Sequence, residues 1–237
     1  MASVTPRPAG EIAAQLSRDV LVERALAIAD AEGLAAVTIR RLAQELGVTP
    51  MALYWHVSDK DDLLAAMGDR LFGGLPPDTD PALAWQEQLR DLVVALTTAL
   101  RSHPNVAALA APRVLQNDEG RCLTEAALAL LRTAGFPVAQ AAEIARHMLR
   151  TAISLVIEQV PNEPSHDPAQ RAEGIRLKRL ALRGLPPERF PRLVEAADAL
   201  ADCADEDAYY RFGVDLLIAG VTMHAPTSHA QQATGAR

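Results

Sequence analysis

Hydrophobic residues recur every three or four positions along much of the chain, which is the spacing of one face of an α-helix. Leu21, Ala25 and Ile28 form the first such run. Ser17 precedes the run and Gly33 follows it, and these residue types commonly begin and end helices. The pattern predicts a helix between them.

Two shorter helices are predicted immediately after the first. Thr38 precedes a short amphipathic run that ends at Gly47. Thr49 then precedes Pro50, and proline is well suited to the first position of a helix because the N–H that it lacks is not needed there. Only Gly47 and Val48 separate the second helix from the cap of the third, so the pair has the spacing of a helix-turn-helix.

A fourth helix is predicted from Ser58 and Asp61, whose spacing matches a capping box. The Pro- and Gly-rich segment 73–81 then interrupts the helical pattern and indicates a linker. Two further Pro-containing loops, 160–168 and 184–191, separate the long helices predicted beyond it. Those helices cover about 82–101, 119–134, 138–159 and 206–223. The expected fold class is all-α, with a small helix-turn-helix head joined to a larger helical body.

The composition agrees with this fold, because the chain is rich in Ala and Leu, which favour helix, and aromatic residues, which favour strands, make up only 4% of it. The net charge of −7 argues against nucleic acid as a partner of the chain as a whole. The segment 38–60 differs: it contains Arg40, Arg41 and Lys60 against two acidic residues, a local charge of +1. A basic patch on an acidic protein is compatible with DNA binding.

The chain contains two cysteines, Cys122 and Cys203. Two are too few for a disulfide framework or a cysteine-based metal site. No apolar stretch reaches the roughly 18 residues that span a membrane, and the N-terminus lacks the apolar core of a signal peptide. We therefore expect a cytoplasmic protein that needs no cofactor.

Three adjacent residues, Tyr54, Trp55 and His56, are unusual in a chain with so few aromatic side chains. Leu53 and Val57 lie one helical turn apart and are predicted to face inward, so the three residues between them must lie mostly on other faces. They either extend the core of the head or contact a DNA duplex. We favour the duplex, because phenol and imidazole groups donate to phosphates and apolar ring edges meet thymine methyl groups.

The segment "VTIRRLAQELGVTPMALYWHVSDKDDLL" resembles the DNA-binding head of the tetracycline-repressor family of bacterial transcriptional regulators. Its "LYWHV" core, followed by Lys60 and two leucines, is particularly close to the tetracycline-repressor subgroup. The similarity continues into the body over 85–104, 134–159 and 210–221, in the family's order and spacing.

The resemblance implies that the head binds double-stranded DNA. Arg40 matches a base-contacting arginine, and Lys60 matches a phosphate contact at the start of the fourth helix. For Arg41 a solvated charge is as good an interpretation as a DNA contact. The residues implied in DNA binding are Thr38, Arg40, Thr49, Pro50, Met51, Ala52, Tyr54, Trp55, His56 and Lys60.

The resemblance also implies a homodimer. Geometry favours the same arrangement, because one short recognition helix reads few base pairs and inverted-repeat operators mirror two-fold proteins. The last long helix is the main candidate for the interface, with the helix that starts near residue 138 as its partner. The alternative is that the last helix belongs to the core of one chain. The expected interface residues are Ala145, Leu149, Ala152, Phe212, Gly213, Leu216 and Gly220.

Finally, the resemblance implies a small-molecule pocket in the body. Aligned on Trp85, the drug-contacting positions of the tetracycline-binding members hold Leu92 and Leu96, and the position of their metal-binding histidine holds Ala110. Glu158 matches a carboxylate that holds the metal through water, but one carboxylate is a poor magnesium site. We therefore expect a hydrophobic organic effector and no metal. The candidate lining residues are Leu92, Leu96, Arg113, Asn117, His147, Thr151, Ser154 and Glu158.

The expected function is that of a DNA-binding regulator, a homodimeric repressor released from a palindromic operator by this effector. One alternative is a DNA-binding regulator that has no effector or that responds to a protein partner. An all-helical enzyme is disfavoured, because the nucleophile, phosphate-binding and metalloprotease motifs are missing. The predicted segments are a flexible arm (1–16), a helix-turn-helix DNA-binding domain (17–72), a ligand-binding and dimerisation domain (73–225) and a disordered tail (226–237).

Overall fold

The computed structural model describes residues 16–75, 79–157, 168–203 and 205–226. Helices are the regular secondary structure throughout these ranges, so the all-α prediction is confirmed. The helices are α1 (Arg18–Glu32), α2 (Ile39–Leu46), α3 (Pro50–Leu53), α4 (Lys60–Arg70), α5 (Trp85–Arg101), α6 (Ala110–Arg113), α7 (Asp118–Thr133), α8 (Val138–Ile157), α9 (Pro168–Arg183), α10 (Pro191–Glu195), α11 (Ala197–Ala201) and α12 (Glu206–Met223). Two 3-10 segments, Leu34–Ala36 and Pro104–Leu109, complete the described elements. In these ranges, none of the helices combines the length and the apolarity that a membrane crossing requires.

The first three helices begin where their capping residues predict. The hydroxyl of Ser17 accepts a hydrogen bond from the Val20 N–H, and that of Thr38 accepts one from the Arg41 N–H at 3.0 Å. Thr49 caps α3, the helix that begins with Pro50. Gly47 ends α2 with φ at 66°, a left-handed conformation that glycine adopts without the steric cost of a Cβ atom.

The start of α4 corrects the sequence prediction. Asp59, not Ser58, is the N-cap: its carboxylate accepts from the Asp62 N–H at 2.8 Å. The carboxylate of Asp62, not that of Asp61, reaches back to the Ser58 N–H at 2.9 Å. The sequence "SDKDD" offers two frames one residue apart, and the chain adopts the frame in which both reciprocal acceptors are carboxylates. Anionic acceptors bind N–H groups more strongly than a hydroxyl does and interact favourably with a helix N-terminus.

One hydrophobic core runs through the head and the body. Helix α4 connects the two, because it packs on α1 and on the 3-10 segment Pro104–Leu109 and α6 of the body. Beyond it, α5, α7, α8 and α12 pack together as a bundle. Ion pairs between Arg90 and Asp215 and between Arg101 and Asp207 fasten α12 against α5.

The long body helices lie within a few residues of their predicted bounds, and the turn at 184–191 is confirmed. Helix α9 was not predicted. It packs mainly on α10 and α11, and the buried Ala197 and Ala201 of α11 lie outside the main core. The predicted loop 160–168 falls almost wholly outside the described residues.

Candidate DNA interface and ligand cavity

Helix α3 turns one face into the head and leaves the other in solvent. Leu53 and Val57 are buried in the core, as their spacing predicts. On the other side, Trp55 is 86% exposed and Met51 is 70% exposed, and Tyr54 is exposed beside them. Large apolar groups gain little from contact with water, so a face of this kind indicates a binding surface. This exposure excludes the interpretation that Trp55 extends the core of the head.

Two exposed cationic side chains lie at the starts of the helices before and after α3. Arg40 at the start of α2 and Lys60 at the start of α4 are exposed, and neither forms an ion pair with any residue in the described ranges. Arg41 is held differently: its guanidinium binds Glu32 at 2.6 Å and Glu45 at 2.7 Å. These hydrogen bonds raise the pKa of Arg41. Arg40 and Lys60 are thus available to a ligand, whereas Arg41 already has two carboxylate partners.

The remaining residues implied in DNA binding lie around the same surface. Thr38, Thr49 and Pro50 are exposed at the starts of α2 and α3, whereas Ala52 and His56 are half-buried. All ten predicted positions thus lie on α2, α3 and the start of α4 or on the residues next to these helices, and their contact with DNA stays a prediction.

Arg18 of α1 stabilises the segment that follows α3. The sequence analysis did not identify this residue. Its guanidinium donates to the backbone carbonyl of His56 at 3.1 Å and to the carboxylate of Asp62 at 2.5 and 3.2 Å. The bond from Arg18, together with the Ser58 N–H, holds the pKa of Asp62 at about 2. One charged group therefore joins α1 to the turn after α3 and to the start of α4. No local motif marks Arg18, because its partners lie about forty residues away along the chain.

A cavity of about 460 Å³ lies in the body between α5, α7, α8 and the turn that follows α6. Such a volume lies within the usual range for small-molecule sites. Its wall is mostly apolar, and the predicted Leu92 and Leu96 line it. The full lining among the described residues is Leu92, Val93, Leu96, Ala111, Val114, Leu115, Leu123, Thr124, Ala127, Leu128, Ala142, Ala145, Arg146, Met148, Leu149 and Arg150.

The other predicted ligand contacts do not line this cavity. Arg113 forms two 2.8 Å hydrogen bonds with the carboxylate of Asp69, and these raise the pKa of the guanidinium. Asn117 caps α7 by accepting from the Gly120 N–H and donates to Asp69 at 3.0 Å. Both side chains are therefore committed to structural partners. His147, Thr151 and Ser154 lie on α8 outside the lining, and Glu158 lies outside the described residues.

Within one chain, the expected dimer residues of α8 face the cavity or the core. Ala145 and Leu149 line the cavity, and Ala152 is fully buried in the core of the chain. Spacing alone could not separate these faces, because α8 is apolar on more than one side. The face toward α7 is the cavity wall.

Helix α12 has two distinct faces. Tyr210, Val214, Ile218 and Val221 are buried in the core of the chain, which accounts for the core-helix alternative. Gly213 belongs to this inner side, because a Cβ atom there would lie 2.6 Å from the Leu155 side chain.

The opposite face of α12 carries an exposed apolar stripe. It comprises Phe212, 64% exposed, with Leu216, Ala219 and Met223. These four residues follow the three-to-four spacing of a single helix face. A Cβ atom at Gly220, beside the stripe, would meet no atom of another described element within 4 Å. An apolar stripe of this length in water indicates an interaction surface.

The head and the body are joined by polar contacts around α4. On α4, Asp69 binds Arg113 and Asn117. On α1, Asp30 contacts His103 at 2.8 Å. The Asn105 amide donates to the carbonyl of Ala29 at 2.9 Å. Gly68 allows a close approach, since a Cβ atom there would lie 2.7 Å from the Arg113 side chain. Helices α6 and α4 are therefore in close contact at Gly68.

Among the described residues, no three His, Cys, Asp or Glu side chains cluster as metal ligands would. Ala110, at the position where the family resemblance places a metal-binding histidine, is fully buried. Its methyl group offers no ligand atom.

Known protein families and individual proteins match most of the chain. Residues 21–67 match the family model described as bacterial regulatory proteins, tetR family, and residues 76–224 match the tetracyclin repressor-like C-terminal domain. An HTH-type transcriptional regulator of Saccharopolyspora erythraea is 28% identical, with 89% of this chain and 86% of the relative aligned. The tetracycline repressor protein class D of Escherichia coli is 25% identical over 87% of this chain and 89% of that protein.

A solved structure is similar over nearly its whole length. The TetR family protein ActR of Streptomyces coelicolor, crystallised in complex with actinorhodin, shares 30% identity with this chain and superposes with a TM-score of 0.73. The superposition covers 90% of this chain and 99% of ActR. Both the head and the body are therefore included in the similarity.

Proposed function

The chain belongs to the tetR family of bacterial regulatory proteins, and we propose that it is a homodimeric repressor which a small organic effector releases from an inverted-repeat operator. Family membership makes it a transcriptional regulator and not an enzyme. The cavity of about 460 Å³ carries the proposal of an effector, because its volume and mostly apolar wall are typical of small-molecule sites. The similarity to ActR, which has been crystallised with actinorhodin, supports an organic ligand here too. We place its action in the cytoplasm, where bacterial DNA lies.

The surface of α2, α3 and the start of α4 is the proposed DNA-reading face. Arg40 would contact a base edge in the major groove, and Lys60 would contact a phosphate. Trp55 and Tyr54 would pack against the sugar-phosphate backbone and thymine methyl groups. The proposal keeps the whole predicted set: Thr38, Arg40, Thr49, Pro50, Met51, Ala52, Tyr54, Trp55, His56 and Lys60.

The proposed dimer forms through the exposed stripe of α12. Phe212 and Leu216 would pack against the partner, with Gly220 at the point of closest approach. Two heads in one dimer would then read two half-sites, spaced by about one helical turn of DNA or a multiple of it.

The proposed route from the cavity to the head runs through α6 and α4. Ala111, Val114 and Leu115 line the cavity and lie on either side of Arg113, whose guanidinium holds Asp69 near the end of α4. Near the other end of α4, Asp62 binds Arg18, which also donates to the His56 carbonyl in the turn after α3. Displacement of the 111–115 segment would therefore tilt α4 and move α3.

Release requires the effector to bind one arrangement of the two heads more tightly than the other. Couplings of this kind are typically about 1–3 kcal/mol, which corresponds to a change of about 5- to 150-fold in DNA affinity. Two effector molecules per dimer would double the available free energy.

The second candidate is a regulator of the same family that has no effector or that answers to a protein. The observation that weighs against it is the cavity, because a mostly apolar space of this size is typical of small-molecule sites. Nothing about the head distinguishes the two candidates.

An operator selected from random duplexes allows the proposal to be tested by release. Hydrophobic organic compounds are added to the labelled operator complex, with and without a metal chelator, and dissociation is followed by fluorescence anisotropy. We expect release that a chelator does not affect. A Leu96→Phe variant, which fills part of the cavity, should bind the operator normally but resist release. Leu177→Phe, at an exposed position of α9 away from the cavity, is the matched control.

Two results would count against the proposal. Release that disappears with the chelator would refute an effector that acts without metal. A screen in which no compound binds the protein or releases the operator would refute the effector itself and favour the second candidate.

A further inference from the structure

The cavity has an uneven distribution of polar groups. Of the described residues that line it, only Thr124, Arg146 and Arg150 are polar. Thr124 donates its hydroxyl proton to the carbonyl of Gly120 at 2.8 Å, so its oxygen offers a ligand only an acceptor. The two arginines lie four residues apart on α8, which places them on one side of the helix with Cβ atoms about 6 Å apart.

Neither arginine is committed elsewhere in the described part of the chain. Arg113 and Arg41 are held by carboxylates, but no acidic side chain in those ranges lies within 4 Å of the guanidinium of Arg146 or Arg150. Both side chains are exposed while they line the cavity, so they lie at its mouth. The cavity thus has an apolar interior and a cationic rim.

The lining also lacks groups that would favour a cation. No Asp, Glu or His is among the described residues that line it. A cationic ligand would therefore meet two like charges without a compensating carboxylate. Guanidinium groups bind carboxylates in a bidentate manner and also stack on aromatic faces.

We infer that the cavity takes hydrophobic organic acids, with the anionic group seated between Arg146 and Arg150 at the mouth and the apolar part enclosed by α5, α7 and α8. This inference rests on the proposed function, since it specifies the chemical class of the effector. The two arginines would also distinguish between hydrophobic molecules of similar size. The apolar wall cannot do so, because it offers no group that selects among them.

Two fluorescent probes with nearly the same aromatic body test the inference without DNA. Anilinonaphthalenesulfonate carries an anionic group, and N-phenylnaphthylamine is its neutral counterpart. The full-length protein is titrated with each probe. We expect Arg146→Gln combined with Arg150→Gln to weaken binding of the anionic probe about tenfold, because charge-assisted bonds at an exposed rim are partly screened. Binding of the neutral probe should change less than about twofold.

Two further variants locate the binding and control for charge. Ala142→Phe, which projects a ring into the cavity, should weaken binding of both probes. Arg24→Gln removes the same charge from an exposed position of α1 and should affect neither probe. The affinity of the wild type for the anionic probe should fall with added salt, whereas its affinity for the neutral probe should not.

Equal weakening of both probes in the double arginine variant would overturn the inference, as would binding that Ala142→Phe leaves unchanged. Operator release is measured separately. A protein that prefers the anionic probe but is never released from DNA would support the anion site and refute the effector function. A protein released equally well by matched acids and esters would support the effector function and overturn the anion site.

Discussion

Asp62 provides a direct test of how the head is held together. Its carboxylate accepts from Arg18, from the Ser58 N–H at 2.9 Å and from the Ser58 hydroxyl at 3.3 Å. Replacement by Asn keeps the shape and removes the charge. We expect Asp62→Asn to be less stable at pH 7 and to bind the operator more weakly, because Arg18, which also bonds the His56 carbonyl, loses its anionic partner on α4.

The pKa of Asp62 sets the magnitude and the pH window. It lies at about 2 instead of 3.8, chiefly because Arg18 donates to the carboxylate. A fall of this size corresponds to at most about 2.4 kcal/mol of stability. The side chain of Arg18 is 47% exposed and that of Asp62 28%, so solvent screening reduces the expected loss to about 1 kcal/mol.

The sign follows from linkage. Because the folded-state pKa is depressed, the stabilisation is fully present above the unfolded-state pKa near 4 and is lost as the pH falls toward 2. Urea unfolding of the wild type and of Asp62→Asn should therefore differ by a constant amount from pH 7 to pH 5. The difference should shrink between pH 4 and pH 2. A difference that stays constant down to pH 2 would refute the ion pair as its source.

Three further predictions concern DNA and the dimer. Arg40→Ala should cost about 1–3 kcal/mol of operator affinity and relax the preference at one base pair per half-site, as measured on operator variants; an equal loss on random DNA would instead indicate a phosphate contact. Lys60→Ala should weaken binding to all sequences alike and reduce the log–log salt slope by about 1 for each phosphate that Lys60 neutralises, and an unchanged slope would contradict this role. Gly220→Arg should leave the protomer folded, because the space beside Gly220 is open within the chain, but should give monomers in sedimentation. Its control is Gly213→Ala, which places a methyl group against the flexible end of the Leu155 side chain inside the chain and should leave the dimer intact.

Three helix starts and the buried face of α3 were predicted well because each depends on residues close together in the chain. The caps at Ser17, Thr38 and Thr49 act on N–H groups three residues away, so their residue types suffice to locate three helix starts. Leu53 and Val57 likewise separate the buried face of α3 from the exposed one by spacing alone. The cap of α4 was misplaced by one residue because Ser58 and Asp59 are both good capping residues, and the choice depends on which acid reaches back to residue 58.

The cavity could not be predicted in this way. Whether two apolar helix faces touch or leave a space depends on distances between helices, and composition is the same in both cases. Arg113 and Asn117 were expected to contact a ligand but meet Asp69, which is more than forty residues earlier in the chain. Helix α9 was missed for a related reason: its partner α11 follows a turn, and no single apolar stripe marks it.

The two halves of the proposed mechanism use contacts of different kinds. Side chains that would meet DNA, such as Trp55 and Lys60, are exposed and contribute little to the free energy of unfolding, so the head can vary them without losing its fold. The contacts that would carry the effector signal, at Asp69 and Asp62, are partly buried ion pairs at opposite ends of α4. A helix of eleven residues is about 16 Å long and behaves as a rigid rod over that distance. In the proposed mechanism, a small displacement at Asp69 would therefore move α3 through the two ion pairs.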